Sequence, residues 1–174
     1  MDDRANINLA KLKQIATNRN LIMDYECLIV WLDDKSGFEN LLSEVKDFFH
    51  DIVIARNTAE LDRIISAYQF VEQPLYLIAP HRNDEENKSL LFSYEKYLRA
   101  LYVISNETQR PKNEEDVVRG VFGSRLPLIY RLATDIAGRY QLFGDKEFDR
   151  GDAKSGDIHY QNAVDLYQKL AEYF

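Results

Sequence analysis

The hydrophobic residues of this chain follow two alternating patterns, short continuous runs and stripes with helical spacing. A short apolar run that ends at charged or turn residues is typical of a strand buried on both faces of a parallel sheet. We therefore predict five strands from five such runs. They cover residues 27–32, 51–55, 74–79, 100–104 and 117–122.

Most of the segments that follow these runs favour helices. Ser36 and Glu39 have the spacing of a capping box, and Asn57 with Glu60 repeats that spacing before a second apolar stripe. Two further stripes, which end at Leu98 and near Gly138, predict helices after the third and fifth strands. Strands that alternate with helices predict right-handed βαβ units and a parallel sheet.

We expect an α/β fold in which helices flank a five-stranded parallel sheet. The flavodoxin-like or receiver-like order 2-1-3-4-5 is common for five such strands. Residues 25–140 form this domain, 1–24 a peripheral helix, and 158–174 an amphipathic helix. Residues 141–157 contain three glycines among several aspartates, and this composition predicts a linker.

Composition narrows the class of partner. The net charge is −7 and the isoelectric point about 5.0, which argues against nucleic acid and against an anionic membrane. The single cysteine, Cys27, lies in the first apolar run, where we expect it to pack as a small hydrophobe. One cysteine also favours a reducing compartment, and the first residues lack a signal peptide's apolar segment, so we expect a cytoplasmic protein.

The carboxyl ends of the predicted strands gather the candidate chemistry at a crevice between strands 1 and 3. The residues at these ends are Asp33, Asp34, Ala79, Pro80 and His81, with Ser105 and Asn106 after strand 4. Asp33 and Asp34 could hold Mg²⁺, because hard cations prefer carboxylate oxygens, or could cap the next helix instead. His81 is the histidine at the crevice, and the spacing of the three histidines fits no metal site. Apart from Mg²⁺ we expect no cofactor.

These residues resemble the site of phosphoacceptor receiver domains. In that family an acidic pair after strand 1 helps to bind Mg²⁺, an Asp at the end of strand 3 is phosphorylated, and a hydroxyl residue and a Lys close strands 4 and 5. Asp33 and Asp34 match the acidic pair, and Ser105 matches the hydroxyl. Ala79 stands at the phosphoacceptor position, and residues 123–124 contain no Lys. The resemblance therefore implies a pseudo-receiver, which keeps the fold without phosphotransfer.

The strand cores carry a more specific resemblance. Residues 30–33, 75–78, 101–104 and 118–122 have the sequences VWLD, LYLI, LYVI and VRGVF. They are similar to the receiver-like N-terminal region of eukaryotic multidomain proteins that carry ADP-ribosyltransferase and tetratricopeptide-repeat domains. The resemblance covers residues 27–137. It implies a region of a larger protein, with no catalytic role of its own.

Three hypotheses for function remain open. The leading one is a non-catalytic, receiver-like regulatory or interaction module that binds a partner protein or a neighbouring domain of the same chain. The second is a nucleotide-processing enzyme, like the Toll/interleukin-receptor domains that cleave NAD, which uses the crevice at the carboxyl ends of the strands. Glu95 is the nearest candidate for its catalytic glutamate. The third is an oligomerisation scaffold, in which Tyr160, Tyr167 and Phe174 meet a partner helix rather than their own domain.

Overall fold

The structure is a computed structural model, and it describes part of the chain. The described residues are 27–34, 37–68, 74–81, 85–86, 89, 93–94, 96–105, 118–122 and 124–174. The predicted helix over residues 1–24 and the candidate residues Glu95 and Asn106 lie outside them. The chain divides into two compact units, which we call the sheet unit (Met1–Gly123) and the hairpin unit (Ser124–Phe174).

The sheet unit has the predicted alternation of strands and helices. Its elements are β1 (Leu28–Leu32), α1 (Glu39–Phe49), β2 (Ile52–Ala55), α2 (Thr58–Tyr68), β3 (Leu75–Pro80), β4 (Leu98–Ile104) and β5 (Val118–Phe122). The strands lie in the order β2-β1-β3-β4-β5, and every neighbouring pair is parallel. Residues 85–86, 89 and 93–94, between β3 and β4, are helical. The predicted α/β class and parallel sheet are confirmed.

The central strands are apolar throughout because both of their faces are covered. Every residue of β1 and of β3 is buried. On one face, alternate residues of four strands pack with Leu61, Ile64 and Ile65 of α2 in one hydrophobic cluster. The opposite face carries large aromatic side chains, and the Tyr102 ring lies 6.4 Å from that of Tyr76 and 6.2 Å from that of Phe122.

Of the two helix starts predicted from capping residues in the sheet unit, α2 shows the predicted contacts. The Asn57 side chain accepts a hydrogen bond from the Glu60 N–H at 2.8 Å, and the Glu60 carboxylate accepts one from the Arg56 N–H at 2.8 Å. At α1 the Glu39 carboxylate accepts from the Gly37 N–H at 3.2 Å. Asn57 therefore caps α2 as predicted, whereas α1 begins after Phe38, which makes no side-chain capping hydrogen bond. Ser36, the predicted cap of α1, lies outside the described residues.

The strand boundaries agree with the sequence prediction to within one residue, except at the start of β4. β4 begins at Leu98, two residues before the predicted start, because Leu98 pairs with Leu75 across the sheet and is buried. Leu98, which the sequence pattern assigns to the end of a helical stripe, is therefore the first residue of β4. Cys27 is buried just before β1, as predicted.

The predicted linker over residues 141–157 is wrong. Two helices, α3 (Arg125–Asp149) and α4 (Ala153–Tyr173), leave only Arg150, Gly151 and Asp152 between them. The turn is closed by hydrogen bonds from the Gly151 N–H to the Phe148 carbonyl and from the Asp152 N–H to the Glu147 carbonyl, both at 2.9 Å. Gly151 has a φ of +82°, the left-handed conformation that favours glycine after a helix. The domain boundary accordingly falls at residues 123–124 rather than at 140–141.

Two of the three glycines that indicated a linker, Gly144 and Gly156, instead allow close packing of α3 on α4. A Cβ atom on Gly144 would lie 3.1 Å from the Tyr160 ring and 3.3 Å from the Gly156 carbonyl oxygen. A Cβ atom on Gly156 would lie 2.7 Å from the Phe148 ring. Small residues at a crossing let the helix axes approach, so these glycines belong inside helices rather than in a turn.

Candidate functional site

The carboxyl edge of the sheet brings several candidate residues onto neighbouring strands. The parallel hydrogen-bond ladder continues one residue past β1, β3 and β4. The Asp33 N–H donates to the Ala55 carbonyl at 2.7 Å, and the His81 N–H donates to the Ile104 carbonyl at 2.7 Å. The Ser105 N–H donates to the Phe122 carbonyl at 3.0 Å. Asp33, His81 and Ser105 therefore lie on rigid backbone at one edge, as predicted from the strand order.

These residues differ in how far solvent can reach them. Asp33, Asp34 and His81 are half-buried, whereas Ser105 is buried. Ser105 is also the one polar residue among the buried described residues, so its hydroxyl is set inside the protein rather than on the crevice surface. The half-buried carboxylates and imidazole are the groups of this edge that a ligand could contact.

The end of β3 carries no group that could accept a phosphoryl group. Ala79 is 2% exposed and packs in the hydrophobic cluster on one face of the sheet. Trp31 pairs with Ile78, and extending this register by two residues sets Asp33 beside Pro80. Neither an alanine methyl nor a proline ring is a nucleophile.

Asp33 and Asp34 could contribute two carboxylates to a metal site. Within the described part of the chain, no group of three or more His, Cys, Asp or Glu side chains is arranged to hold a metal ion. Asp33 and Asp34 supply two carboxylates, and Ca²⁺ and Mg²⁺ sites in proteins use six or more oxygen ligands in total. Asp33 and Asp34 by themselves would therefore supply only part of such a coordination shell.

Trp31 is a feature of this region that the sequence analysis missed. Its side chain is fully buried in β1, two residues before Asp33, and its indole Nε1–H has no hydrogen-bond partner among the described residues. A buried donor left unsatisfied costs about 1–3 kcal/mol. No signal in the sequence distinguishes this tryptophan from an ordinary core residue, because the run around it is uniformly apolar.

The hairpin unit carries a second candidate surface. Eight large apolar side chains are at least 39% exposed among the described residues, and all eight belong to α3, to α4 or to Phe174. They are Leu126, Tyr130, Leu142, Phe148, Ile158, Val164, Tyr167 and Phe174. Clusters of exposed apolar side chains, unlike single ones, are typical of interaction sites.

Most of these side chains line one side of the hairpin. Tyr130 and Phe148 are 18 residues apart, which is five helical turns, so they project from α3 in the same direction. On α4, Tyr160, Tyr167 and Phe174 are spaced by seven residues and also share a direction. We call the set on this side the hairpin strip; its members are Tyr130, Phe148, Tyr160, Val164, Tyr167 and Phe174.

Ring contacts between the helices join the hairpin strip at both ends. The Tyr130 and Phe174 rings meet edge to face with centroids 5.9 Å apart. At the turn end, the Phe148 and Tyr160 rings are 5.5 Å apart. Since the contacts at opposite ends of the helices pair early residues of α3 with late residues of α4, the two helices are antiparallel.

Polar contacts fix the turn end of the hairpin. The Tyr160 hydroxyl donates a hydrogen bond to the Asp145 carboxylate, and this bond raises the pKa of Tyr160 above its ordinary value. Asp152 caps α4 by accepting from the Ser155 N–H at 3.0 Å and from the Ser155 hydroxyl at 2.7 Å. These bonds to its charged form lower the pKa of Asp152.

The apolar stripe predicted for residues 158–174 divides into two surfaces. Ala163 and Leu170 are buried, with Gly156 and Leu166. Val164 and Tyr167 are exposed, and Phe174 is 60% exposed. The stripe is therefore wider than one packed face, and its aromatic members Tyr167 and Phe174 lie on the solvent side. Part of the stripe nevertheless packs on its own chain, because the Phe174 ring contacts Tyr130 and the Tyr160 ring contacts Phe148.

Comparisons with known protein families, with curated proteins and with solved structures found no match to this chain. None of the described helices has an apolar stretch of the length that crossing a membrane requires. The geometry of the two surfaces is therefore the basis for a functional proposal.

Proposed function

We propose that this chain is a non-catalytic, receiver-like module that binds a partner protein or a neighbouring domain of the same chain through the hairpin strip. The observation that carries this proposal is the location of the exposed apolar side chains, all on the hairpin unit among the described residues. Large aromatic side chains with a polar end are favoured at protein interfaces, and Tyr130, Tyr160 and Tyr167 are of this kind.

The carboxyl edge of the sheet supports the non-catalytic part of the proposal. The strand order and the acidic pair are those of a receiver domain, and flavodoxin-like sheets bind ligands at this edge. Phosphotransfer in receiver domains requires a carboxylate at the end of strand 3, where this chain has the buried Ala79 followed by Pro80. We infer that the fold is kept as a scaffold and that a larger, cytoplasmic protein uses it for regulation.

Two assays at the crevice test this assignment. The chain is incubated with acetyl phosphate and Mg²⁺ and analysed by intact mass, and in parallel with NAD, whose loss is followed by chromatography. We expect no phosphoryl adduct and no loss of NAD. The matched control is the double variant Asp33→Asn, Asp34→Asn, which we expect to behave as the parent chain does. A phosphoryl adduct or NAD turnover that this variant abolishes would show an active site at the crevice and refute the proposal.

A further inference from the structure

We propose that the hairpin strip binds the hairpin strip of a second copy of this chain, with the two hairpins antiparallel about a two-fold axis. The inference rests on the interaction role proposed above, because it names the partner for that surface. It draws on the spacing of the aromatic pairs, on the area of the strip and on the distribution of charge along the hairpin.

The two aromatic pairs make the strip self-complementary. The Tyr130–Phe174 pair and the Phe148–Tyr160 pair lie at opposite ends, separated along α3 by 18 residues or about 27 Å. We place a two-fold axis in the interface plane, through the middle of the strip and perpendicular to the helices. This axis sets the Tyr130–Phe174 pair of each copy against the Phe148–Tyr160 pair of the other. Such an isologous contact closes after two copies and leaves no end for a filament.

The strip has the area that a weak dimer needs. Its length is about 27 Å, and two adjacent helices present a width of about 20 Å, which gives roughly 500 Å² on each copy. Two copies would then bury about 1,000 Å² in total, the lower limit for a specific interface. We therefore expect a dissociation constant on the order of 10 μM rather than a permanent dimer.

Charge favours the antiparallel arrangement over the parallel one. Arg139 and Asp165 lie at the middle of the hairpin, and their opposite charges cancel, so neither is counted in either half. The half nearer the turn has five acidic and three basic residues, whereas the open half has three basic and two acidic residues. The residues of the turn half are Asp145, Lys146, Glu147, Asp149, Arg150, Asp152, Lys154 and Asp157. An antiparallel pair keeps the two acidic turn halves apart, while a parallel pair would set them against each other.

Sedimentation equilibrium of the full chain tests the proposal. We expect the mass to rise from 20.4 kDa towards twice that value as the concentration increases through the expected dissociation constant. Tyr167→Glu places a charge at the centre of the strip and should raise the dissociation constant at least about tenfold. Leu142→Glu is the matched control, because Leu142 is 47% exposed but projects away from the strip, and it should leave the mass unchanged from the parent.

A distance measurement tests the orientation. A nitroxide label at Lys154→Cys, in a Cys27→Ser chain, marks the turn end of each copy. In the antiparallel dimer the two labels should lie about 30–40 Å apart along the helices. A distance below about 20 Å would refute the antiparallel arrangement.

Each remaining outcome decides between the proposals. A mass of 20.4 kDa at every concentration overturns the second copy as partner, while the phosphoryl and NAD assays alone judge the non-catalytic assignment. A dimer that Leu142→Glu disrupts as strongly as Tyr167→Glu overturns the strip as the interface. Circular dichroism confirms that each variant is folded. Val164→Glu, at a 55% exposed position of the strip, replaces Tyr167→Glu if that variant loses helicity.

Discussion

The central strands β1 and β3 of the sheet unit bury every side chain they carry, whereas the hairpin unit leaves aromatic side chains such as Tyr130 and Phe174 more than half exposed. Both units are rich in apolar residues, so hydrophobic content alone does not separate them. In the sheet unit those residues form the interior. In the hairpin unit, a turn of three residues lets two long helices bury one face and present another.

This contrast explains why one candidate site is less suited to catalysis and the other is suited to protein binding. The carboxyl edge of the sheet offers two half-buried carboxylates and an imidazole, but a methyl group where a receiver needs its nucleophile. The hairpin strip offers area and aromatic character, and no group on it needs to react. A surface of the second kind suits binding to another protein better than it suits chemistry.

The largest change in the free energy of unfolding that we predict is for a substitution in the sheet unit. Leu77→Ala removes a fully buried side chain from the middle of β3, where it belongs to the hydrophobic cluster. We expect the free energy of unfolding to fall by about 3 kcal/mol, because the lost burial is joined by a cavity that the sheet cannot close. Urea denaturation followed by circular dichroism measures the change. Val164→Ala on the exposed side of α4 is the control, and an equal loss there would remove the contrast between the units.

An intermediate effect is expected at the rim of the same cluster, with a dependence on pH. The Tyr94 hydroxyl donates a hydrogen bond to the Asp62 carboxylate, and burial, followed by this bond and the Asp62 charge, raises the pKa of Tyr94. Tyr94→Phe should cost about 1–2 kcal/mol near neutral pH, since it removes a bond to a charged acceptor. Urea denaturation at neutral pH measures this loss.

The sign of the pH effect follows from the raised pKa. The folded chain holds the Tyr94 proton more tightly than the unfolded chain does. The stabilisation is therefore complete below the ordinary tyrosine pKa of about 10 and declines as the pH rises above it. We expect this alkaline decline to be shallower in Tyr94→Phe than in the exposed control Tyr130→Phe. Identical slopes in the two variants would show that the buried hydroxyl does not contribute.

The smallest effect compares two glycines of α3. Gly138→Ala should raise the free energy of unfolding by about 1 kcal/mol, because alanine favours a helix and the new methyl group has no neighbour within 4 Å. Gly144→Ala should lower it by about 1 kcal/mol, because its methyl group would lie 3.1 Å from the Tyr160 ring and close to a backbone carbonyl. Thermal unfolding of both variants measures the pair. A gain at both positions would mean that α3 and α4 are not held at their closest approach by glycine.

The sequence was sufficient for the sheet because its signals there are local and consistent. Uninterrupted apolar runs mark β1 and β3, and Asn57 with Glu60 marks the start of α2. The order 2-1-3-4-5 is the common choice for five such strands, and parallel strands in this order group Asp33, His81 and Ser105 at one edge. At Leu98 the prediction is wrong by two residues, because an apolar residue at a boundary fits a helix and a strand equally well.

The hairpin could not be predicted in the same way. Gly144 and Gly156 have the composition of a turn, and only the position of the partner helix reveals that they lie at a crossing. The exposure of Tyr167 depends in the same way on where α3 lies, which periodicity does not specify. The indole of Trp31, which has no hydrogen-bond partner in the described part of the chain, likewise depends on three-dimensional surroundings that the sequence pattern does not show.

The three-residue turn at Gly151 also bears on the order in which the chain folds. The helices α3 and α4 meet across a very short connection, so closing that contact costs little chain entropy. The neighbouring strands β1 and β3 are separated along the chain by α1, β2 and α2, and they must find each other over a much longer loop. Local contacts form faster than distant ones. The hairpin, although it follows the sheet in the sequence, should therefore be able to form before the sheet is complete.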